Sequence, residues 1–360
     1  MARWIWHFGD FEMYHNLRLH MRRDEFGYQF PPFWRLDDCH HNVVFRKEAD
    51  VTEDSFIRVN ACYEGMLEID GRRYALSDID GDAVTYPIRA GHHVIEAKVM
   101  CTGLPCLYMD GAVETDESWD VCTYGGPWMK AGSSPMFSDP AASPAMFPFR
   151  KTQIQPVAVE AIDGGTLYDF GRESFAAVTV SDVKDGVWVR FGESREEALS
   201  EQAILQKREG NFPEHVSVIF NPCAFRYVWV RGAEVSEAEE LLLDVQNRGA
   251  FRCSDDTLNR IWEVSLRTFH LCAREFFLDG IKRDRWVWSG DAYQSYFINR
   301  YCFADQEIVR RTILALRGRD PVGTTSIRSW TIPSIGSCRC RITTCQLQTR
   351  TLSAASGPRR

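Results

Sequence analysis

The sequence is short of positive charge, with 42 Lys and Arg against 50 Asp and Glu and a formal net charge of −8. Phosphate binding rests on clustered Lys and Arg, so this balance argues against a nucleic-acid partner and fits neutral substrates better. It also lacks any apolar run near the ~20 residues of a membrane helix. The opening MARWIWHFGDFEMYHNLRLHMRR has no uninterrupted apolar segment of the signal-peptide kind. A soluble chain without a membrane partner is expected, cytoplasmic as it stands, with export open if the start codon is mis-set. No CxxC pair occurs among the 12 cysteines, so neither a zinc site nor a disulfide framework is indicated. Scattered thiols packing as small hydrophobes are expected instead. The HisHis pairs at 40–41 and 92–93 could ligate a metal, but without supporting spacing they read as loop or strand surface. No motif asks for a cofactor or a metal, no fixed-period repeat is visible, and nothing sets an oligomeric state.

What is present is globular. A chain of 360 residues with 44% hydrophobic and 26% charged residues has room for two or three domains, each with its own core. Short alternating runs punctuated by Gly and Asp, such as NVVFRKEADV (42–51), SFIRVNACYEGMLEIDGRRYAL (55–76) and HHVIEAKVM (92–100), predict an N-terminal β-sandwich over 1–123. Within them IDG at 69–71 is a hairpin signal. Pro, Gly and Ser crowd residues 124–148, a linker or a covering loop. Strand patterning resumes in AAVTVSD, GVWVRFGES, VSVIFN and FRYVWVRG, which predicts a second sandwich over 149–250. From about residue 251 the period becomes helical. Ser254 is the expected N-cap of a helix to Cys272 whose apolar positions are Leu258, Ile261, Trp262, Leu266 and Phe269. A second helix is expected from Asp291 to Phe303, and a third after Asp305 as cap.

Between the first two helices lies DGIKRDRWVWSGD (279–291), with three aspartates, three cations and two tryptophans. The bland reading is a salt-bridged loop in which Asp279, Asp284 and Asp291 pair with Lys282, Arg283 and Arg285 while Trp286 and Trp288 plug helix ends. The sharper reading is a sugar site. Carboxylates and Arg bind hydroxyls, an indole face packs on a pyranose, and one carboxyl protonates a leaving oxygen.

This segment resembles the catalytic loop of the α-L-rhamnosidases, glycoside hydrolase family 78, whose form is roughly D-C-P-x-R-E-R-x-G-W-T-G-D. YDFGRESFAAVTV, VRFGES and FRYVWVRG resemble the β-sandwich that precedes the family's barrel, and NRGAFRCSDDTLNRIWEVSLRTF resembles the barrel's entry. WIWHFGDFEMYHNLRLHMRR with PPFWRLD resembles the N-terminal domain of a bacterial subgroup. The resemblance runs from residue 1 to about 322. It implies a fold of two jelly-roll-like β-sandwiches followed by the first helices of an incomplete (α/α)6 six-hairpin domain over 251–322. It also implies a carbohydrate substrate, Asp284 as general acid, and Asp279, Arg283, Trp288 and Asp291 in contact with the sugar. Such enzymes invert, with a second carboxyl roughly 6.5–9.5 Å from the acid activating water. Asp284 stands where glutamate is usual, shortening the reach by on the order of 1.5 Å. Gly280 and Ile281 stand for the usual Cys-Pro. The family's base, a glutamate late in the barrel, has no counterpart through residue 322, so little or no hydrolysis is expected. A non-catalytic carbohydrate-binding β-sandwich protein is the alternative.

Residues 323–360 break the composition. They contain no Asp, Glu or Lys but carry Arg328, Arg339, Arg341, Arg350, Arg359 and Arg360, with no amphipathic period. If each codon is started at the third base of the printed one, only its first base is free. The shifted frame nonetheless permits HINTILDYSFYWVMSVQDYY and later PTADADFIRRIWPKA, which restore acids and a helical period. A frameshift just upstream of Thr324 is the resulting hypothesis.

Overall fold

The computed structural model describes residues 1–21, 38–62, 64–77, 83–184, 186–201, 207–210, 216–282 and 285–318. The chain divides into two compact units, one built mainly on Phe33–Pro148 and the other on Phe149–Thr312.

In the first unit the strands alternate as pleating requires, successive side chains pointing to opposite faces. Along Gly91–Met100, His93, Ile95, Ala97 and Val99 are buried while the residues between them are not. Two antiparallel sheets result. One runs Met129–Lys130, Asp120–Thr123, Asn42–Val51, Gly91–Met100, Glu64–Ile69, Arg72–Ser77 in spatial order. The other runs Gly132–Ser133, Ile5–Trp6, Cys106–Gly111, Ser55–Ala61, Val84–Ile88. Val43, Phe45, Ile95 and Val121 from the former meet Ile57, Val59, Leu107 and Met109 from the latter in one core. At ~1.5–3 kcal/mol for each fully buried aliphatic or aromatic side chain, this shared burial holds the sandwich together. The expected hairpin is present. Asp70 (φ 49°) and Gly71 (φ 83°) turn Ile69 onto Arg72, both in the left-handed region that a two-residue type I′ turn demands.

Helix α1, Asp10–Met21, lies where strand had been expected. Asp10, Glu12, His15 and Asn16 are buried along with Phe11 and Met13, so no apolar stripe marks the helical period in the sequence. Trp4, Trp6, Phe11 and Phe137 form a second cluster with Cys39, Cys62, Cys101 and Cys106. These thiols are free and buried. Burial pushes Cys101 up to about 12 and Cys106 well above the ordinary thiol range. His92 and His93 serve strand hydrogen bonds, His92 to Asp50 at 2.8 Å and His93 to Asp70 at 2.6 Å.

The second unit has a single seven-stranded sheet. Its long strand Gly165–Ser181 pairs with Ala158–Ile162 over its first half and with Glu234–Leu242 over its second, while Val218–Arg231 flanks both halves. Val187–Gly192 and Lys207–Gly210 extend one side, and Arg150–Gln153 the other. The change of partner falls at a register slip between Asp169 and Ser174. There Gly171 takes φ 77°, its N–H donates to Asp169 Oδ1 at 2.7 Å, and Arg226 holds the same carboxylate at 2.9 and 3.0 Å. A bulge bends a strand and strengthens its twist. Tyr168 and Phe170 before the slip and Ala176, Val178 and Val180 after it therefore enter one core with Val189, Phe225 and Ala238. The second sandwich is one sheet folded over.

Helix α2, Arg195–Leu199, is capped by Ser194, whose side chain accepts the Glu197 N–H. Helix α3, Asp256–Cys272, is capped by Asp255 rather than the expected Ser254. The Asn259 side chain holds both backbone groups of Cys253 at 2.8 and 2.9 Å, keeping the chain extended one residue longer. Leu258, Ile261 and Val264 of α3 are 47%, 55% and 54% exposed. Helix α4, Ser289–Tyr301, starts and ends two residues ahead of expectation. Helix α5, Gln306–Arg317, follows Asp305, whose Oδ1 accepts the Ile308 N–H at 2.9 Å as a cap should. No helix among the described residues is long and apolar enough to cross a membrane.

Candidate active site

The segment between α3 and α4 is closed by Asp279. Its N–H donates to Trp286 O at 3.0 Å and its Oδ1 accepts the Trp286 N–H at 2.8 Å. Arg285 is buried with φ 50° and lies 5.7 Å over the Phe175 ring. Trp286 is buried as well. Its ring centroid is 5.7 Å from that of Trp288, which is half-buried and occupies the N-cap of α4 without a side-chain cap bond. Asp291, exposed in the first turn of α4, has its charge at the favourable end of the helix dipole. Arg283 and Asp284 lie outside the described residues.

Cys272, the last residue of α3, is pushed up to about 11 by burial first and then by Asp279, with Arg274 opposing and Asp291 adding. Of the sequence-predicted residues, Trp288 and Asp291 lie at the start of α4, and Asp279 closes the preceding segment on Trp286. Behind them, Phe175, Ala224 and Leu242 of the sheet pack on Leu271 and Ile281. Arg267 of α3 pairs with the buried Glu240 and donates to the Glu173 carbonyl at 3.0 Å.

The salt-bridged loop expected on bland grounds takes another form. Lys282 reaches sheet-side carboxylates, Glu193 at 3.2 Å and Glu197 at 2.6 Å. Beside them is Glu173, which falls within the register slip of the long strand. Its carboxyl is raised to about 8, by burial first, then by Glu193 and Glu197, with Lys282 and Arg267 opposing. Its Oε1 is buried with no hydrogen-bond partner among the described residues. Sequence reasoning assigned none of Glu173, Glu193 and Glu197. The available signal was an acid set one or two residues after Gly in otherwise apolar strands, GRES and FGES.

Two groups of possible metal ligands occur among the described residues, both in the first unit. In one, His40 Nδ1 is 3.0 Å from Asp10 and His7 Nδ1 is 3.8 Å from it. Nitrogen and carboxylate donors suit a first-row divalent cation, but the same atoms already tie His40 to the start of α1, with the His40 N–H also on Asp10 at 3.0 Å. In the other, Asp38, Cys39 and His41, the Cys39 thiol is pushed far up by burial and then by Asp10 and Asp38, which keeps it protonated and a poor ligand.

Fold and segment together define a β-sandwich protein that leads into helical hairpins and carries carboxylates and indoles on the connection. Residues 43–230 match the family described as alpha-rhamnosidase-like, bacteroidetes, N-terminal, and residues 246–334 match the bacterial alpha-L-rhamnosidase 6 hairpin glycosidase domain. The chain belongs to the alpha-rhamnosidase-like family. Similar solved structures include the α-L-rhamnosidase from Dictyoglumus thermophilum, with 16% identity and TM-score 0.41, covering 79% of this chain and 43% of that one. The native α-L-rhamnosidase from Aspergillus terreus has 15% identity and TM-score 0.38, covering 79% and 44%. The rhamnosidase from Klebsiella oxytoca with rhamnose bound has 20% identity and TM-score 0.42, covering 48% and 45%. The chain thus spans less than half the length of these structures. No curated protein matches it.

Proposed function

We propose that this chain carries the acid side of an inverting glycoside hydrolase that removes terminal α-L-rhamnose, or a related sugar, from glycosides or polysaccharides. The observation that supports the reading is a segment closed by Asp279 onto Trp286 beside the half-buried Trp288, within the stretch that matches the six-hairpin glycosidase domain. In this reading Asp284 protonates the glycosidic oxygen as the bond to the sugar breaks. Asp279, Arg283 and Asp291 take hydroxyl hydrogen bonds, and the Trp288 indole covers the apolar face of the ring. An inverting reaction also needs a base on the opposite face of the sugar, and none of the assigned residues fills that role, so the polypeptide as it stands should turn over little or no substrate. We further infer that residues from Thr324 onward are read in a shifted frame, which is supported by their loss of every Asp, Glu and Lys.

Sequencing the gene across Arg319 to Thr325 tests the frame. A nucleotide sequence that cannot spell the shifted peptide rejects it. A frame-restored protein should hydrolyse p-nitrophenyl α-L-rhamnoside, and Asp284→Asn should cost about 10²–10⁴-fold in kcat, the usual share of general acid catalysis. Sugar binding indifferent to Asp284→Asn, with no turnover in either frame, would instead favour a non-catalytic carbohydrate-binding protein.

A further inference from the structure

The fold spends a bulge, a left-handed glycine and a short helix on bringing three carboxyls to one lysine. Gly171 lets the strand leave its ladder at Arg172 and Glu173. Glu193 follows the strand Val187–Gly192, and Glu197 sits one turn into α2. Glu197 also accepts the Glu193 N–H at 3.0 Å, so the two acids form one rigid acceptor for Lys282. Lys282 lies within the carboxylate-bearing segment and is bracketed by its closure between Asp279 and Trp286. The groups that face Glu173 are Glu193, Glu197, Lys282 and Arg267, and Arg267 is itself engaged by Glu240.

We propose that Lys282 and the carboxyls of Glu173, Glu193 and Glu197 form a latch that fixes the 279–291 segment against the sandwich while Glu173 is protonated. With Glu173 neutral, two carboxylates share Lys282. When it ionises, a third negative charge enters a site that is partly closed to water, where like charges oppose one another. The sign follows from linkage. Glu173 has its folded value raised from 4.5 to about 8, so its contribution is fully present below 4.5 and is lost as pH rises through about 8. Glu173 is a positioning residue, acting through Lys282 on Asp279, Trp288 and their neighbours. Its bearing on sugar chemistry rests on the glycosidase reading above, whereas the latch itself does not.

Hydrogen exchange of peptides covering 285–288, in the full chain and corrected for intrinsic exchange, tests the latch at about pH 6 and about pH 9. The wild-type chain should lose protection about tenfold between the two, the equivalent of one unit of proton linkage. Glu173→Gln should keep the protection at both values. Lys282→Met should lack it at both, and if that variant does not fold, Glu193→Gln on the exposed side of the cluster should weaken it in the same sense. Peptides from Asn42–Val51 serve as the control for global opening. An alkaline loss unchanged in Glu173→Gln, or full protection retained in Lys282→Met, overturns the proposal. Calorimetry with L-rhamnose separates the two readings. Exchange that follows the latch while no variant binds the sugar keeps the latch and rejects the glycosidase.

Discussion

The first unit closes its core with two sheets whose central strands stay in register, Asn42–Val51 pairing with Gly91–Met100 residue for residue. The second folds one sheet over itself where Asp169 and Ser174 fall out of step. In the first unit the buried acids among the described residues, Asp10 and Glu12, lie on α1 rather than in its sheets. In the second, Glu173 falls within the register slip, facing Lys282. The chemistry-bearing groups of the second unit thus gather where its pairing breaks, as bulges near functional sites generally suggest.

The contrast breaks most sharply at two glycines. Gly171→Ala should cost about 2–3 kcal/mol, because φ is positive and a Cβ would press on Val157 at 3.2 Å. Gly71→Ala, also at positive φ but with nothing within 4 Å of a Cβ, should cost only the conformational share, about 1–2 kcal/mol. Denaturant titration of the two variants measures the difference, and equal losses would mean that the bulge tolerates the extra atom. A smaller effect separates neighbours at the entry to α3. Asp255→Ala should lose about 1 kcal/mol and Ser254→Ala a few tenths at most, since only Asp255 accepts the Thr257 and Leu258 amides. The smallest effects are in the pH response of the two turns. Arg226 holds the Asp169 carboxyl below its ordinary range, so that support is present above about 3.8 and fades only as pH falls. The hairpin is bounded on both sides. Asp70, lowered first by the Val94 amide and then by His93, fades in acid, while His93, raised by Asp70, releases the turn as pH rises past its own midpoint. Asp70 and Arg226 are each partly exposed, so each contribution should stay below about 1 kcal/mol. NMR titration of the Gly171 and Val94 amides follows the two turns separately.

Much of this fold was legible in the sequence wherever one residue decides locally. IDG specified a two-residue turn, alternation in HHVIEAKVM specified a half-buried strand, and Asp305 specified a helix start. Elements set by distant partners were not. Helix α1 buries polar side chains around its whole circumference, so no stripe announces it. The cap at Asp255 depends on a side chain four residues later reaching back to Cys253. The folded-over sheet depends on which neighbour each half of one strand finds. At the candidate site, the motif marked Asp279, which closes the segment on Trp286, and Trp288 and Asp291 at the start of α4, while Arg283 and Asp284 lie outside the described residues. Lys282 was assigned to acids within its own loop, yet its partners Glu193 and Glu197 lie some ninety residues upstream, a separation that no local pattern encodes.

The free thiols of the first unit have a practical corollary. Cys62, Cys101 and Cys106 are buried and, for the latter two, held protonated far above neutral pH, so an alkylating reagent meets them only when that unit opens. Cys253, partly exposed beside α3, is accessible without any opening. The order in which mass spectrometry finds these sulfurs labelled is therefore an internal clock, reading how often the N-terminal sandwich breathes against a fixed reference in the same polypeptide.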